Sequence, residues 1–134
     1  MCALRSDSVA GRVSMLSDIE DEIALTRRET GKAALEERVI AAIAKVPREV
    51  FVPENERHLA FRNGPVCIGC GQTISQPFIV ALMTDLLAPK AGQTVLEIGT
   101  GSGYQAAVLA EVVGQVFSIE IIEDLATRSR ERLA

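Results

Sequence analysis

The chain has 134 residues, about the size of one domain, and 48% of them are hydrophobic, which is enough for a packed core. Its net charge is −4 and its aromatic content is 4% with no tryptophan, so the basic surface and stacking platforms of a nucleic-acid-binding protein are not expected. No apolar run approaches the ~20 residues that cross a bilayer, and the first residues lack the apolar core of a secretory signal. We therefore expect a soluble, cytoplasmic protein without a membrane partner.

Two helices are predicted in the first third of the chain. The sequence SDIE at 17–20 has the form of a capping box and predicts a helix start, with Ile19 and Ile23 on one face and an end near Gly31. A second helix is predicted over 32–45, where apolar residues repeat at intervals of four before a proline.

The middle of the chain is predicted to contain little regular structure. The segment VPREVFVPE, residues 46–54, alternates apolar residues between prolines and is expected to be extended. Glycine and proline are dense between 63 and 72, which indicates a loop. The apolar run FIVALMTDLL, residues 78–87, then predicts a helix that ends before Pro89.

Two cysteines in this middle segment, Cys67 and Cys70, form the sequence CIGC. Thiolates at this spacing could be half of a zinc site, but a structural zinc site needs four ligands. Cys2 is remote in sequence, and His58 is the only histidine. A thioredoxin-like redox pair is the other alternative, although such pairs normally lie where a strand meets a helix. We therefore interpret both as unpaired thiols and expect no metal site.

The last third of the chain predicts a βαβ unit. TVLEI at 94–98 is a short apolar strand that ends in the glycine-rich turn GTGSG. An alanine-rich helix is predicted over 104–113 and a second strand over 116–119. A further helix is expected from residue 122 onward. Strands connected in this way are parallel.

The glycine-rich turn EIGTGSGY, residues 97–104, follows a strand and opens a helix, which is the context that gives such a motif meaning. Its glycines let the backbone turn tightly and approach a ligand. Glu120 ends the next strand, where a carboxylate can accept hydrogen bonds from both ribose hydroxyls of a nucleoside. A tight turn without a ligand is the structural alternative.

The turn fits a dinucleotide poorly. The pattern G-x-G-x-x-G fails from Gly99, because Tyr104 takes the third glycine position, and it survives only in relaxed form from Gly101. Glu97 lies just before the turn, where an acid disfavours a pyrophosphate but suits a cationic ligand. S-adenosylmethionine carries an ammonium and a sulfonium and no phosphate. The motif therefore favours a methyltransferase over a nicotinamide-dependent dehydrogenase.

Three segments in this order, VPREVFVPE, IGCGQTISQPFIVALMTDLL and VLEIGTGSGYQAAVLAEV, resemble the protein-L-isoaspartate O-methyltransferases. The resemblance extends from about Val39 to Ala134, and GQTISQP at 71–77 is its most specific part. It implies an α/β, Rossmann-like class I methyltransferase fold, with N-terminal helices and the first two βα units of a doubly wound parallel sheet. It also implies methyl transfer from S-adenosylmethionine to the α-carboxylate of L-isoaspartyl residues in damaged proteins.

The resemblance further implies roles for particular residues. Ser75 matches the family's active-site serine, whose hydroxyl faces the substrate carboxylate, and the alternative role for Ser75 is a helix cap. The segment along the cofactor and the methionine-binding turn correspond to Gln72, Thr73, Ile74, Glu97, Gly99, Thr100, Gly101 and Gly103. Glu120 matches the ribose-binding acid, and the position of Cys70 is usually histidine in the family.

The division of the chain follows from the same resemblance. Residues 1–71 are expected to form a helical and extended segment on the substrate side, and residues 72–134 the N-terminal part of the cofactor-binding domain, within a single domain overall. The family continues beyond the second βα unit, so we expect a truncated chain. Two alternatives stay open: a catalytically inactive remnant that binds the cofactor, and a methyltransferase with another acceptor.

Overall fold

The structure is a computed structural model that describes residues 2–134, with side chains described from residue 8 onward. Helices dominate its first half, and a βαβ unit followed by a helix forms its last third. The α-helices of the described residues are α1 (Cys2–Leu25), α2 (Arg27–Thr30), α3 (Glu37–Lys45), α4 (Pro77–Leu86), α5 (Tyr104–Ala110) and α6 (Glu123–Leu133). The strands are β1 (Val66–Gly69), β2 (Gln72–Ile74), β3 (Thr94–Ile98) and β4 (Gln115–Ile119), and 3-10 helices occupy Arg48–Val50 and Glu54–Leu59.

The first helix begins earlier than the capping-box sequence predicts. α1 starts at Cys2, so SDIE at 17–20 lies inside the helix, and the prediction of a helix start there is wrong. Met15, Ile19 and Ile23 are spaced four residues apart and all three are buried, which confirms the predicted apolar face. Because this apolar stripe continues on the N-terminal side of the capping-box sequence, the helix continues with it.

Helix α3 begins later than predicted. A helix was expected over 32–45, but the structure has one only over Glu37–Lys45. The buried Asp85 of α4 holds the preceding residues: Lys32 Nζ lies 2.6 Å from its carboxylate, and the Glu36 N–H donates to Oδ1 at 2.6 Å. Glu36 is extended, with ψ of 137°. Since Asp85 is distant in sequence, the local pattern does not reveal this contact.

The prediction of extended chain over 46–54 is wrong. The segment contains the 3-10 helix Arg48–Val50, and a second 3-10 helix, Glu54–Leu59, begins at its end. Pro47 and Pro53 each stand immediately before one of these helices. A proline suits the start of a helix because its missing N–H is not needed there and its φ is already fixed. The prolines therefore precede 3-10 helices rather than lie in extended chain.

Residues 63–72, predicted as a loop, contain most of an antiparallel hairpin. β1 and β2 pair with Val66 opposite Ile74. Cys70 and Gly71 lie between the strands with positive φ angles of 53° and 69°. Positive φ angles are typical of tight hairpin turns, so the glycines that indicated a loop build the turn of a hairpin instead.

The βαβ unit has the predicted order and direction. β3 covers the predicted residues 94–98, and β4 begins at Gln115, one residue earlier than predicted. The two strands are parallel, with Glu97 opposite Ser118. Helix α5 connects them and ends at Ala110, earlier than predicted. The α/β class is thereby confirmed, with a short parallel sheet that corresponds to an incomplete Rossmann-like fold.

The two faces of this parallel sheet have different surroundings. On one face, Val95 and Val116 pack against the hydrophobic core. The other face, here called the exposed sheet face, carries apolar side chains that are each more than half exposed: Leu96, Ile98, Phe117 and Ile119. Parallel sheets are normally covered on both faces, but the described residues leave one face of this sheet in contact with water.

One hydrophobic core joins the N-terminal helices to the βαβ unit. It includes Ile19 of α1, Ile43 of α3, Val80 of α4 and Val108 of α5. The division expected between residues 71 and 72 falls between the two strands of the hairpin. No helix within residues 2–134 combines the length and the apolarity needed to cross a membrane.

Candidate functional site

A small cavity lies where the end of β2 and the start of α4 face the glycine turn after β3. Its volume is about 70 Å³. The predicted site residues that line it are Thr73, Ile74, Ser75, Glu97, Gly99, Thr100 and Gly101. Gln72, Gly103 and Glu120 are not among the residues that line it. A larger groove of about 730 Å³ meets the same turn at Thr100 and is lined by Glu120.

Ser75 lies in the connection between β2 and α4 and is exposed. Helix α4 begins at Pro77, and its N-cap is Gln76, which makes no side-chain cap hydrogen bond. The cap is supplied from elsewhere: Asn63 Oδ1 accepts the Phe78 N–H at 3.2 Å. The helix-cap alternative for Ser75 is therefore wrong, and its hydroxyl is available to a ligand.

Helix α1 holds the same connection through Glu22. Its Oε2 accepts hydrogen bonds from Asn63 Nδ2 at 2.5 Å and from Gln76 Nε2 at 2.8 Å. One carboxylate thus joins α1, the loop before β1 and the residue that follows Ser75. Sequence reasoning missed Glu22, although it lies three residues after the buried Ile19 and so on the packed side of the helix.

The glycines of the turn serve different purposes. Gly99 has φ of 88°, and a Cβ added there would meet nothing within 4 Å. Gly103 has φ of 90° and is the N-cap of α5, but an added Cβ would lie 3.2 Å from the Leu133 side chain of α6. Open space beside Gly99 suits the close approach of a ligand, whereas a side chain at Gly103 would crowd Leu133 of α6.

Glu97 is held by Ser118, its neighbour on β4. The Glu97 carboxylate accepts the Ser118 hydroxyl, and Ser118 Oγ lies 2.6 Å from Thr100 Oγ1. Burial raises the pKa of Glu97, the Ser118 hydrogen bond opposes this rise, and the charge of Glu120 adds to it. Because its ionised form is poorly solvated, a cationic ligand would stabilise it. Sequence reasoning missed Ser118, which the parallel register could have indicated.

Glu120 is fixed by the backbone around it. Its Oε2 accepts the Gly101 N–H at 2.7 Å, and its Oε1 accepts the N–H groups of Ile121 and Ile122 at 2.8 and 2.9 Å. The bonds from Ile122 and then Gly101 hold the pKa of Glu120 below its usual range. A carboxylate offers about four acceptor positions, so one position, on Oε2, is left for a ligand.

A buried arginine lies behind the cavity. Arg48 is 0% exposed, and its guanidinium carbon lies over the Tyr104 ring, 4.8 Å from the ring centroid. Burial lowers the pKa of Arg48 to about 10 and raises the pKa of Tyr104 to about 12. At neutral pH Arg48 is therefore a cation and Tyr104 is neutral. Sequence reasoning gave neither residue a role.

The CIGC cysteines do not line the cavity. Cys67 on β1 and Cys70 in the hairpin turn are both exposed and free. Within the described part of the chain, no group of three or more histidine, cysteine, aspartate or glutamate side chains is placed to hold a metal ion.

Comparison with known proteins identifies the family of the chain. The family model for protein-L-isoaspartate(D-aspartate) O-methyltransferase matches residues 20–134. Protein-L-isoaspartate O-methyltransferase 2 of Syntrophobacter fumaroxidans is 56% identical over 124 residues, which is 92% of this chain and 50% of that protein. The chain spans about half the length of the curated relatives it matches.

Two solved structures have a similar fold. A protein-L-isoaspartate O-methyltransferase superposes with a TM-score of 0.67 at 27% identity, over 85% of this chain and 38% of that one. A Plasmodium falciparum protein, described as an enzyme of the same kind and solved in complex with S-adenosyl-L-homocysteine, gives 0.64 at 24% identity, over 87% of this chain and 53% of that one. From the match of the family model and the identity to its curated relatives, the chain belongs to the protein-L-isoaspartate(D-aspartate) O-methyltransferase family.

Proposed function

We propose that the protein transfers a methyl group from S-adenosylmethionine to the α-carboxylate of L-isoaspartyl residues in damaged proteins. The observation that carries this proposal is the cavity in which Ser75 and the glycine turn line the same space. A hydroxyl donor and a nucleoside-type turn are the two elements that the transfer needs side by side.

The residues present fit S-adenosylmethionine. Gly99 leaves room for a ligand against the backbone, and Glu97 offers a partly buried carboxylate to a cation. Glu120 is fixed against Gly101 and keeps one acceptor position, so we assign it one ribose hydroxyl rather than two. When bound, the cofactor supplies an electrophilic methyl group on a sulfonium.

The chain's own residues would contribute mainly orientation. The acceptor carboxylate is already ionised at neutral pH, so its attack needs no general base. In the proposed site the Ser75 hydroxyl donates a hydrogen bond to one acceptor oxygen and directs the other toward the methyl group. Holding two reactants in a productive geometry is by itself a large source of rate acceleration.

The direct test is methyl transfer from labelled S-adenosylmethionine to an isoaspartyl peptide, with the aspartyl peptide of the same sequence as the control. The proposal expects label in the isoaspartyl peptide alone, while equal labelling of both would contradict the repair function. Calorimetric titration with S-adenosylhomocysteine is the companion measurement. Binding without methyl transfer would keep the cofactor site and remove the catalytic proposal.

A further inference from the structure

We propose that Arg48 is a positioning residue for this methyl transfer, and that its side chain fixes the backbone of Ser75 relative to the glycine turn. The inference rests on the function proposed above, because it assigns Arg48 a role in that reaction. Arg48 does not line the cavity, and it therefore acts through residues that do.

The first link is a bridge between two backbone carbonyls. Arg48 Nε donates to the Ala60 carbonyl at 2.8 Å, and Nη2 donates to the Ser75 carbonyl at 2.7 Å. Ala60 follows the second 3-10 helix, whereas Ser75 joins β2 to α4. Both bonds have a charged donor, which strengthens them, and the planar guanidinium holds its donors at fixed angles. The Ser75 carbonyl is thus tied to a buried side chain.

The second link runs to the glycine turn. Tyr104, under the Arg48 guanidinium, is the first residue of α5 and directly follows Gly103. Phe51 packs edge-on against the Tyr104 ring at a centroid distance of 5.5 Å, which restrains the ring. A cation over an aromatic ring is attracted to it. Arg48 therefore connects the segment that carries Ser75 to the helix that begins at the turn.

These links predict a selective defect when Arg48 is changed. Arg48→Lys keeps the charge, but a single ammonium group does not reproduce the planar bridge between the two carbonyls. Arg12 offers a matched control, because it also donates to a carbonyl, that of Ala44 at 2.9 Å, and to Glu49 Oε1 at 3.3 Å, without contacting Ser75.

Hydrogen exchange measured by mass spectrometry on the purified protein gives a test that needs no activity. In Arg48→Lys we expect exchange in residues 72–80 to rise roughly tenfold or more, with α3 unchanged. In Arg12→Lys we expect residues 72–80 to exchange as in the parent protein. The proposal would be overturned if Arg48→Lys accelerated exchange equally in residues 72–80 and in α3, or if it did not accelerate exchange in residues 72–80.

A second variant covers the case in which Arg48→Lys does not fold. Tyr104→Leu keeps Arg48 but removes the ring beneath it, and it should also accelerate exchange in residues 72–80. Unchanged exchange there would overturn the proposal by an independent route.

The kinetic test separates positioning from binding. With labelled S-adenosylmethionine and the isoaspartyl peptide, Arg48→Lys should lose roughly tenfold or more in kcat, while its Kd for S-adenosylhomocysteine stays within about twofold. Weaker cofactor binding with unchanged kcat would overturn the positioning role. If the parent protein binds S-adenosylhomocysteine but transfers no methyl group, the proposed function fails, and the exchange result still decides the role of Arg48.

Discussion

Asn63 caps helix α4, although Ser75 is the small hydroxyl residue nearest to the start of that helix. We therefore expect separable roles, with Asn63 acting in stability and Ser75 in the proposed reaction. Nothing in the local sequence distinguishes them, because Asn63 reaches the helix across the β1–β2 hairpin. The motif GQTISQP singled out Ser75, which lines the cavity, but the capping residue could be identified only from the tertiary structure.

Substituting these two residues one at a time tests the separation. Ser75→Ala should lower kcat for methyl transfer roughly 10- to 150-fold, the effect of losing one hydrogen bond to a charged group. Its melting temperature and cofactor affinity should stay close to those of the parent. Asn63→Ala should instead lose about 1 kcal/mol of unfolding free energy. A lowered melting temperature with unchanged kcat in Ser75→Ala would contradict this assignment.

The raised pKa of Glu97 predicts a pH dependence of cofactor binding. A cationic ligand needs the ionised carboxylate, so the affinity for S-adenosylhomocysteine, which keeps the ammonium group, should weaken as pH falls through the raised pKa. Glu97→Gln should bind more weakly and lose this pH dependence. Calorimetric titrations across the mildly acidic range provide the check, and an identical pH profile in the variant would exclude Glu97 as the source.

The same shift has the opposite sign for the stability of the free protein. The folded protein holds the Glu97 proton more tightly than the unfolded chain, so stability falls as pH rises from the ordinary glutamate pKa through the raised one. Glu97→Gln should therefore melt at a higher temperature than the parent at neutral pH. That difference in melting temperature should disappear in acid, below both the ordinary and the raised glutamate pKa. Thermal melting at neutral pH and in acid provides the check.

At the scale of elements, the glycine turn combines two requirements that one pair of substitutions separates. Gly99 and Gly103 have almost the same positive φ, so alanine suffers similar backbone strain at each. Only Gly103 is crowded, by Leu133 of α6. Gly103→Ala should therefore lower the melting temperature more than Gly99→Ala. The loss of S-adenosylhomocysteine affinity, relative to the loss of stability in the same variant, should be larger for Gly99→Ala. The reverse order in both measurements would mean that the ligand lies nearer Gly103.

The elements that sequence predicted well are those set by local pattern. β3 and the parallel βαβ order follow from apolar runs and a glycine turn that are contiguous in the chain. The elements predicted wrongly are set by distant partners. Asp85 holds Glu36 extended before α3, and the buried Arg48 lies in a segment whose alternating apolar residues indicated extended chain. Neither the hydrogen bond between Glu36 and Asp85 nor the hydrogen bonds of Arg48 produce a periodic pattern in the sequence, so both could be found only from the tertiary structure.

At the scale of the whole molecule, the exposed sheet face leaves large apolar side chains in water. Phe117 is 54% exposed there, so Phe117→Thr should cost little unfolding free energy. It should also raise the temperature at which aggregation begins, measured by light scattering. Val108 in the core is a contrast, since Val108→Ala should lose about 1–3 kcal/mol without that benefit. A large stability loss in Phe117→Thr would mean that this face is covered in solution.

The hydrogen bonds of Glu22 have a consequence for the order of folding. They join residues that are separated by 41 and 54 positions in the chain, whereas β3 and β4 pair across a shorter connection. Contacts between residues distant in sequence form late, because the entropy of closing a long loop is lost before the contact contributes any stabilisation. We expect pulse-labelled refolding to protect the amides of β3 and β4 before those of residues 72–80. The glycine turn would then be complete while the segment that carries Ser75 is still forming, and Glu22→Ala should widen the interval between the two.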